Sequence, residues 1–116
     1  MINNRRIMKD LASRTCFACE GGTPLMPHED IAKYIKEVDK DWSVIKDHSI
    51  KRKFKFKDFK EAMKFVNDVA DIANHEGHHP DIYIFYNIVD LELFTHAVKG
   101  LSENDFIMAA KIDKLV

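Results

Sequence analysis

The sequence lacks any apolar run that could cross a membrane, because a spanning helix needs about 20 consecutive apolar residues and the stretches here are far shorter. Its amino end is basic but lacks the apolar core of a signal peptide. Neither charge dominates, since 18 basic residues stand against 19 acidic ones, for a net charge of −1. Repeats and low-complexity segments are also missing. These absences favour a cytoplasmic globular protein with neither nucleic acid nor a membrane as its main partner.

Cysteine is scarce as well. The two cysteines, Cys16 and Cys19, form a CxxC near the amino end. A redox CxxC would lie between a strand and a helix, and a structural zinc site needs a second pair of ligands. We therefore interpret them as two reduced thiols. The alternative is a zinc half-site completed by His28 or by another subunit.

The chain is long enough for one domain with its own core, having 116 residues of which 46% are apolar. Residues 1–24 are polar and end in the loop signal Gly21-Gly22-Thr23-Pro24. We interpret residues 1–24 as an amino-terminal tail that is in part disordered, and residues 25–116 as the folded domain.

Three helices are predicted within that domain. The first begins at Pro27, a residue favoured in the first turn. A longer helix with a wide apolar stripe begins after the cap Asp58 and ends at Gly77. The last begins at a capping box formed by Ser102 and Asp105.

Two hairpins fill the spaces between the helices, at residues 42–57 and 81–96, where apolar and polar residues alternate. The order α-β-β-α-β-β-α predicts an α+β fold of two layers, in which helices pack on one face of a four-stranded antiparallel sheet. Trp42 and Phe59 are predicted as core anchors. The strand Ile82–Tyr86 is apolar on both faces, so we expect a second subunit to cover it and the protein to form homo-oligomers.

The histidines are the main candidates for chemistry. Of the six, His75, His78 and His79 cluster where the long helix ends, and His96 lies at the end of a strand. Pro80 makes the His78-His79 pair a rigid corner, because proline holds the preceding residue extended. Imidazoles titrate near neutral pH and can therefore give a proton and take one at the same site.

Three interpretations of this cluster remain open on the residues alone. The histidines can be exposed turn residues, a zinc site with Asp81 or Glu76, or a metal-free acid/base site. Adjacent histidines rarely bind one ion together, and neither HxxxH nor HxH spacing occurs here, which argues against zinc.

A resemblance adds to this pattern. The motifs that carry it are Trp42, Phe54-Lys55-Phe56-Lys57-Asp58-Phe59, His78-His79-Pro80-Asp81, Tyr86-Asn87, Val89, Thr95-His96, Gly100-Leu101-Ser102 and Asp105. Each motif alone is weak evidence, but in this combination and spacing they are specific. On them, residues 25–113 resemble the pterin carbinolamine dehydratase family. The Cys16–Cys19 segment resembles an extension found in some bacterial members.

The resemblance implies elimination of water from a 4a-hydroxytetrahydropterin, which gives the quinonoid dihydropterin and so recycles the cofactor of aromatic amino-acid hydroxylases. It implies a catalytic trio of His78, His79 and His96, without a metal or other cofactor, in a homodimer or homotetramer. Our hypothesis is that His78 and His96 transfer protons and that His79 orients the pterin. Asp105 matches the family's acidic site residue, although its spacing also fits a helix cap.

Two further residues are expected to bind or orient the substrate, Pro80 and Glu76. Where the family often has a glutamate, four residues before the first histidine, this sequence has Asn74, and Glu76 is the candidate to replace it. Two other functions compete. One is a protein-interaction module, since some family members bind a transcription factor's dimerisation element. The other is activity on another pterin, such as one in molybdenum-cofactor metabolism.

Overall fold

The computed structural model describes residues 9–17 and 25–116. Their regular elements are three α-helices and four strands: α1 (His28–Tyr34), β1 (Ser43–Ile45), β2 (Ser49–Lys55), α2 (Phe59–Glu76), β3 (Asp81–Phe85), β4 (Ile88–Leu93) and α3 (Glu103–Asp113). Short 3-10 turns occur at Lys9–Ser13, Ile35–Glu37 and His96–Val98. The predicted order of helices and strands and the α+β class are confirmed. No described helix is long and apolar enough to cross a bilayer.

The four strands form one antiparallel sheet in the order β1-β2-β4-β3. Both predicted hairpins are present. In the three-residue loop between β1 and β2, Lys46 and Asp47 have φ of 51° and 55°, the positive sign that both central residues of a type I′ turn require. In β4, Val89, Leu91 and Leu93 are fully buried and alternate with more exposed residues. One face of the sheet therefore carries the core.

The ends of α2 are set by local chemistry. At its start, Asp58 Oδ1 accepts a hydrogen bond from the backbone N–H of Glu61 at 3.0 Å. At its end, Gly77 adopts the left-handed conformation with φ 67°, which glycine reaches at little cost. The chain then turns sharply at His78. The predicted cap at Asp58 and the predicted helix end at Gly77 therefore together determine where the His78-His79-Pro80 segment begins.

Helix α3 is buried on most of its surface, because the sheet and α2 pack on one side and the amino-terminal segment packs on the other. Leu11 of that segment is 1% exposed and joins the core. Lys111 of α3 donates to the carbonyl oxygen of Ala12 at 2.8 Å, and Arg14 forms an ion pair with Glu103. Residues 1–24 were predicted to be a tail. The part of them that the structure describes, residues 9–17, packs against the folded domain.

The two aromatic residues predicted as core anchors differ in the structure. Trp42 is 3% exposed and donates from Nε1 to Asp113 Oδ1 at 2.7 Å. Phe59 is 48% exposed, so its prediction was wrong. As the first residue of α2, it stacks against Tyr86 in the β3–β4 turn, with ring centroids 6.4 Å apart, instead of entering the core.

Candidate active site

The three predicted histidines line one cavity. It has a volume of about 490 Å³, within the range of small-molecule sites. The carboxyl end of α2 and the segment that follows β4 form its walls, and residues of the amino-terminal segment and of α3 complete them. The lining residues are Phe17, Gly77, His78, His79, Pro80, Asp81, Phe94, Thr95, His96, Ala97 and Asn104.

His78 is the most buried of the three, with a side chain that is 12% exposed. Its Nε2 lies 2.7 Å from Oδ1 of Asp105, which is fully buried. An ionised carboxylate can only accept hydrogen bonds, so Nε2 carries the proton. In the neutral ring, Nδ1 then has the lone pair and can accept a proton.

Asp105 is held by two further groups, the Thr95 hydroxyl and the backbone of Ser102. Its Oδ2 accepts from the Thr95 hydroxyl at 2.8 Å and from the backbone N–H of Ser102 at 2.9 Å. The Ser102 bond is one half of the predicted capping box, whose two bonds are both present. Asp105 therefore caps α3 with one oxygen and contacts His78 with the other.

His79 points away from that pair. Its Nε2 lies 3.1 Å from Oδ1 of Asn74, near the surface. The amide oxygen of Asn74 accepts only, so Nε2 donates. Asn74 thus occupies the position of the family's frequent glutamate and orients His79 without a charge.

His96 begins the 3-10 turn that follows β4. The turn is closed by an isolated bridge in which the backbone N–H of Thr95 donates to Gly100 O at 2.8 Å. The His96 ring packs against Phe94 with centroids 4.4 Å apart. Phe94 in turn packs against His48 at 5.0 Å, so contacts with rings rather than a charged partner orient this histidine.

Glu76 does not line the cavity. Its side chain is 4% exposed, and Oε1 accepts from the backbone N–H of Cys16 at 2.8 Å. Lys111 Nζ lies 3.7 Å from its Oε2. The hydrogen bond from Cys16 lowers the pKa of Glu76, and the charge of Lys111 acts in the same direction. Its position on α2 directs the Glu76 side chain to the interface with the amino-terminal segment. Pro80, the other residue expected to orient the substrate, does line the cavity.

The cysteine pair is described only in part. Cys16 lies beside α3, where burial raises the pKa of its thiol to about 12, so the group is protonated at neutral pH. Cys19 lies outside the described residues. Among residues 9–17 and 25–116, no group of three or more His, Cys, Asp or Glu side chains is placed to hold a metal ion.

Sequence reasoning missed four lining residues, Phe17, Phe94, Ala97 and Asn104. Phe94 could have been found, because it lies between the end of β4 and Thr95-His96. Phe17 and Asn104 are 87 residues apart in sequence, and no periodic pattern connects them.

The environment of Glu76 leads to a prediction about acid stability. Because its folded-state pKa is lowered, the carboxylate stabilises the fold at pH values above its ordinary pKa of 4.5, and this contribution is lost as the pH falls through the folded pKa. Glu76→Gln is expected to lower the free energy of unfolding by about 1–2 kcal/mol at pH 7 and by progressively less as the pH falls below 4.5. Urea unfolding of both proteins at several pH values measures this difference. A difference that does not change with pH would contradict it.

The fold and the cavity together define a class, a small α+β protein in which a helix end and a strand end bring three histidines to one pocket. Comparisons with known proteins are more specific. Residues 24–115 match the family described as pterin 4 alpha carbinolamine dehydratase. The chain belongs to this family.

Relatives and a solved structure agree. A protein of Alkaliphilus metalliredigens (strain QYMF) is 46% identical over 107 residues, which cover 92% of this chain and 96% of the relative. One from Legionella pneumophila (strain Paris) is 47% identical over 108 residues, which cover 92% and 96%. Both are named pterin-4-alpha-carbinolamine dehydratase as a provisional assignment. The crystal structure of a transcriptional coactivator/pterin dehydratase from Brucella melitensis is similar with a TM-score of 0.73 and 33% identity, covering 78% of this chain and 96% of that one.

Proposed function

We propose that this protein is a dehydratase that eliminates water from a 4a-hydroxytetrahydropterin to give the quinonoid dihydropterin. The observation that carries the proposal is the buried His78–Asp105 pair in a cavity that His79 and His96 also line. Family membership supports the substrate class. The cytoplasmic location and the role in recycling the cofactor of aromatic amino-acid hydroxylases belong to the same proposal.

The reaction needs two proton transfers. The bond between ring carbon 4a and its hydroxyl oxygen breaks, and the oxygen leaves as water after receiving a proton. A ring nitrogen loses its proton, and the electrons of that N–H bond form the new carbon–nitrogen double bond. Imidazoles can perform both transfers without a metal.

The contacts of the histidines divide these roles. Asp105 holds the proton of His78 on Nε2, so Nδ1 is available as the base for the ring N–H. His96 has ring contacts but no carboxylate partner among the described residues, and we assign it the proton that goes to the leaving oxygen. His79, oriented by Asn74, and Pro80 position the pterin.

The test is a direct assay. Purified, metal-stripped protein is mixed with enzymatically generated 4a-hydroxytetrahydropterin, and loss of the substrate is followed by ultraviolet absorbance. We expect decay well above the uncatalysed rate, resistant to chelators and lost in a His79→Ala, His96→Ala double variant. Decay at the uncatalysed rate with the wild-type protein would refute the proposal.

We also propose that the protein forms a homodimer or homotetramer through β3. This strand is an edge of the sheet, and it exposes Tyr83, Ile84 and Phe85, followed by Tyr86, which is 65% exposed. An unpaired edge with large apolar side chains favours association. Light scattering at micromolar concentration is expected to give a dimer or tetramer, and Phe85→Lys is expected to weaken it. A strict monomer would contradict the proposal.

The same exposed edge favours the alternative of a protein-interaction module, and the Brucella melitensis protein is named as both coactivator and dehydratase. The module has no use for the histidine cavity, so the assay above separates the two. Activity on a different pterin would use the same cavity and is distinguished by comparing pterin substrates.

A further inference from the structure

One wall of the cavity comes from outside the segment that matches the family. Phe17 lines the cavity together with the histidines, whereas the family match covers residues 24–115. The Phe17 residue is 47% exposed. A large apolar ring is therefore exposed to the cavity beside the polar side chains of the histidines, and it lies outside the residues that the family model matches.

Buried polar side chains hold the backbone of residues 16 and 17 in place. Asn104 is 2% exposed and pairs with Phe17 through both ends of its amide. The backbone N–H of Phe17 donates to Oδ1 at 3.0 Å, and Nδ2 donates to Phe17 O at 2.6 Å. The backbone N–H of Cys16, one residue earlier, donates to Glu76. Burying an amide and a carboxylate is costly unless they are hydrogen-bonded, and here both groups hold the backbone at residues 16 and 17.

We propose that Phe17 is a substrate-contact residue, whose ring packs against the flat bicyclic ring of the pterin, and that Asn104 is the residue that positions it. This inference rests on the proposed function. The histidines offer polar edges for proton transfer, but a flat heteroaromatic ring also needs an apolar surface to cover its face. Phe94, the other phenylalanine in the cavity, already packs against His48 and His96.

The experiment measures KM and kcat for 4a-hydroxytetrahydropterin and the Kd of 7,8-dihydropterin, a stable bicyclic analogue. For Phe17→Ala, KM and Kd are expected to rise roughly 5- to 30-fold, as for loss of one stacking contact, with kcat within about threefold of wild type. Phe17→Trp is expected to keep values near wild type. The matched control is Phe59→Ala, because Phe59 is 48% exposed but lies beside Tyr86 rather than in the cavity; its KM and Kd are expected to stay unchanged.

The positioning role of Asn104 has its own readout. If Asn104 acts through Phe17, then Asn104→Ala raises KM, and adding Asn104→Ala to Phe17→Ala raises KM no further. A structural defect would instead add to the effect of Phe17→Ala. Thermal unfolding of each variant shows whether it is folded at the assay temperature. If Asn104→Ala is not folded, the role of Phe17 is still tested by Phe17→Ala and Phe17→Trp.

Three outcomes would overturn the inference. Wild-type KM and Kd in Phe17→Ala would show that the ring does not contact the pterin. A fall in kcat with unchanged KM would show that Phe17 acts on the chemical step instead. A wild-type protein that neither binds 7,8-dihydropterin nor turns over the substrate would refute the proposed function and this inference with it, and because wild type is measured first, that failure is distinguishable from the other two.

Discussion

A His78→Gln variant is expected to lose about 10²- to 10⁴-fold in kcat for pterin dehydration, the usual contribution of a positioned acid/base group. Glutamine cannot take up and release a proton near neutral pH. Its amide N–H can still donate to Asp105, so the buried carboxylate keeps a partner and the fold is expected to remain intact. Steady-state kinetics and thermal unfolding on the same preparation measure the two effects separately.

The matched control is His28→Gln. His28 is 76% exposed and pairs with Asp47, and it does not line the cavity. We expect wild-type kinetics from this variant. If His78→Gln lost less than tenfold in kcat while remaining folded, proton transfer would have to be assigned to other groups, and the His78–Asp105 pair would be structural.

The second large effect concerns stability. Leu11→Ala is expected to lower the free energy of unfolding by about 2–5 kcal/mol, the usual cost of removing a buried leucine side chain. Leu11 is 1% exposed and belongs to the core, although the sequence places it in a tail. Urea unfolding at pH 7 measures the change, and a loss of this size would show that Leu11 packs in the core of the folded domain.

Leu25→Ala provides the comparison, since Leu25 is 56% exposed and its truncation is expected to cost less than about 1 kcal/mol. Equal effects from the two variants, both below 1 kcal/mol, would contradict the placement of Leu11. In that case residues 9–17 would be a tail in solution, and Phe17 would not be held at the cavity.

The fold could be predicted from the sequence because its signals are local. Asp58 and Gly77 bound one helix, Ser102 and Asp105 begin another, and the alternation in β4 places one face in the core. Each signal reflects the burial or capping of a single element, so it appears within a few neighbouring residues. The error at Phe59 arose because the apolar period continued into the first turn of the helix, where the neighbour is Tyr86.

The candidate site was predictable only in part. The sequence alone indicated the corner His78-His79-Pro80 together with His96, and named Asp105 by resemblance. It did not indicate that Asp105 bridges the helix cap and His78, or that Glu76 faces Cys16 instead of the cavity. Each of those facts depends on which direction a side chain takes once the elements have packed.

The sequence by itself determined the helices, the hairpins, the two-layer class and the place where the histidines meet a helix end. Only the tertiary structure decided that residues 9–17 cover α3, that Phe17 joins the cavity, and that a buried carboxylate contacts His78. The physical reason is range. Periodicity and caps record the environment of neighbouring residues, whereas Phe17 and Asn104 meet across 87 positions through packing of the whole chain, which leaves no repeating mark in the sequence.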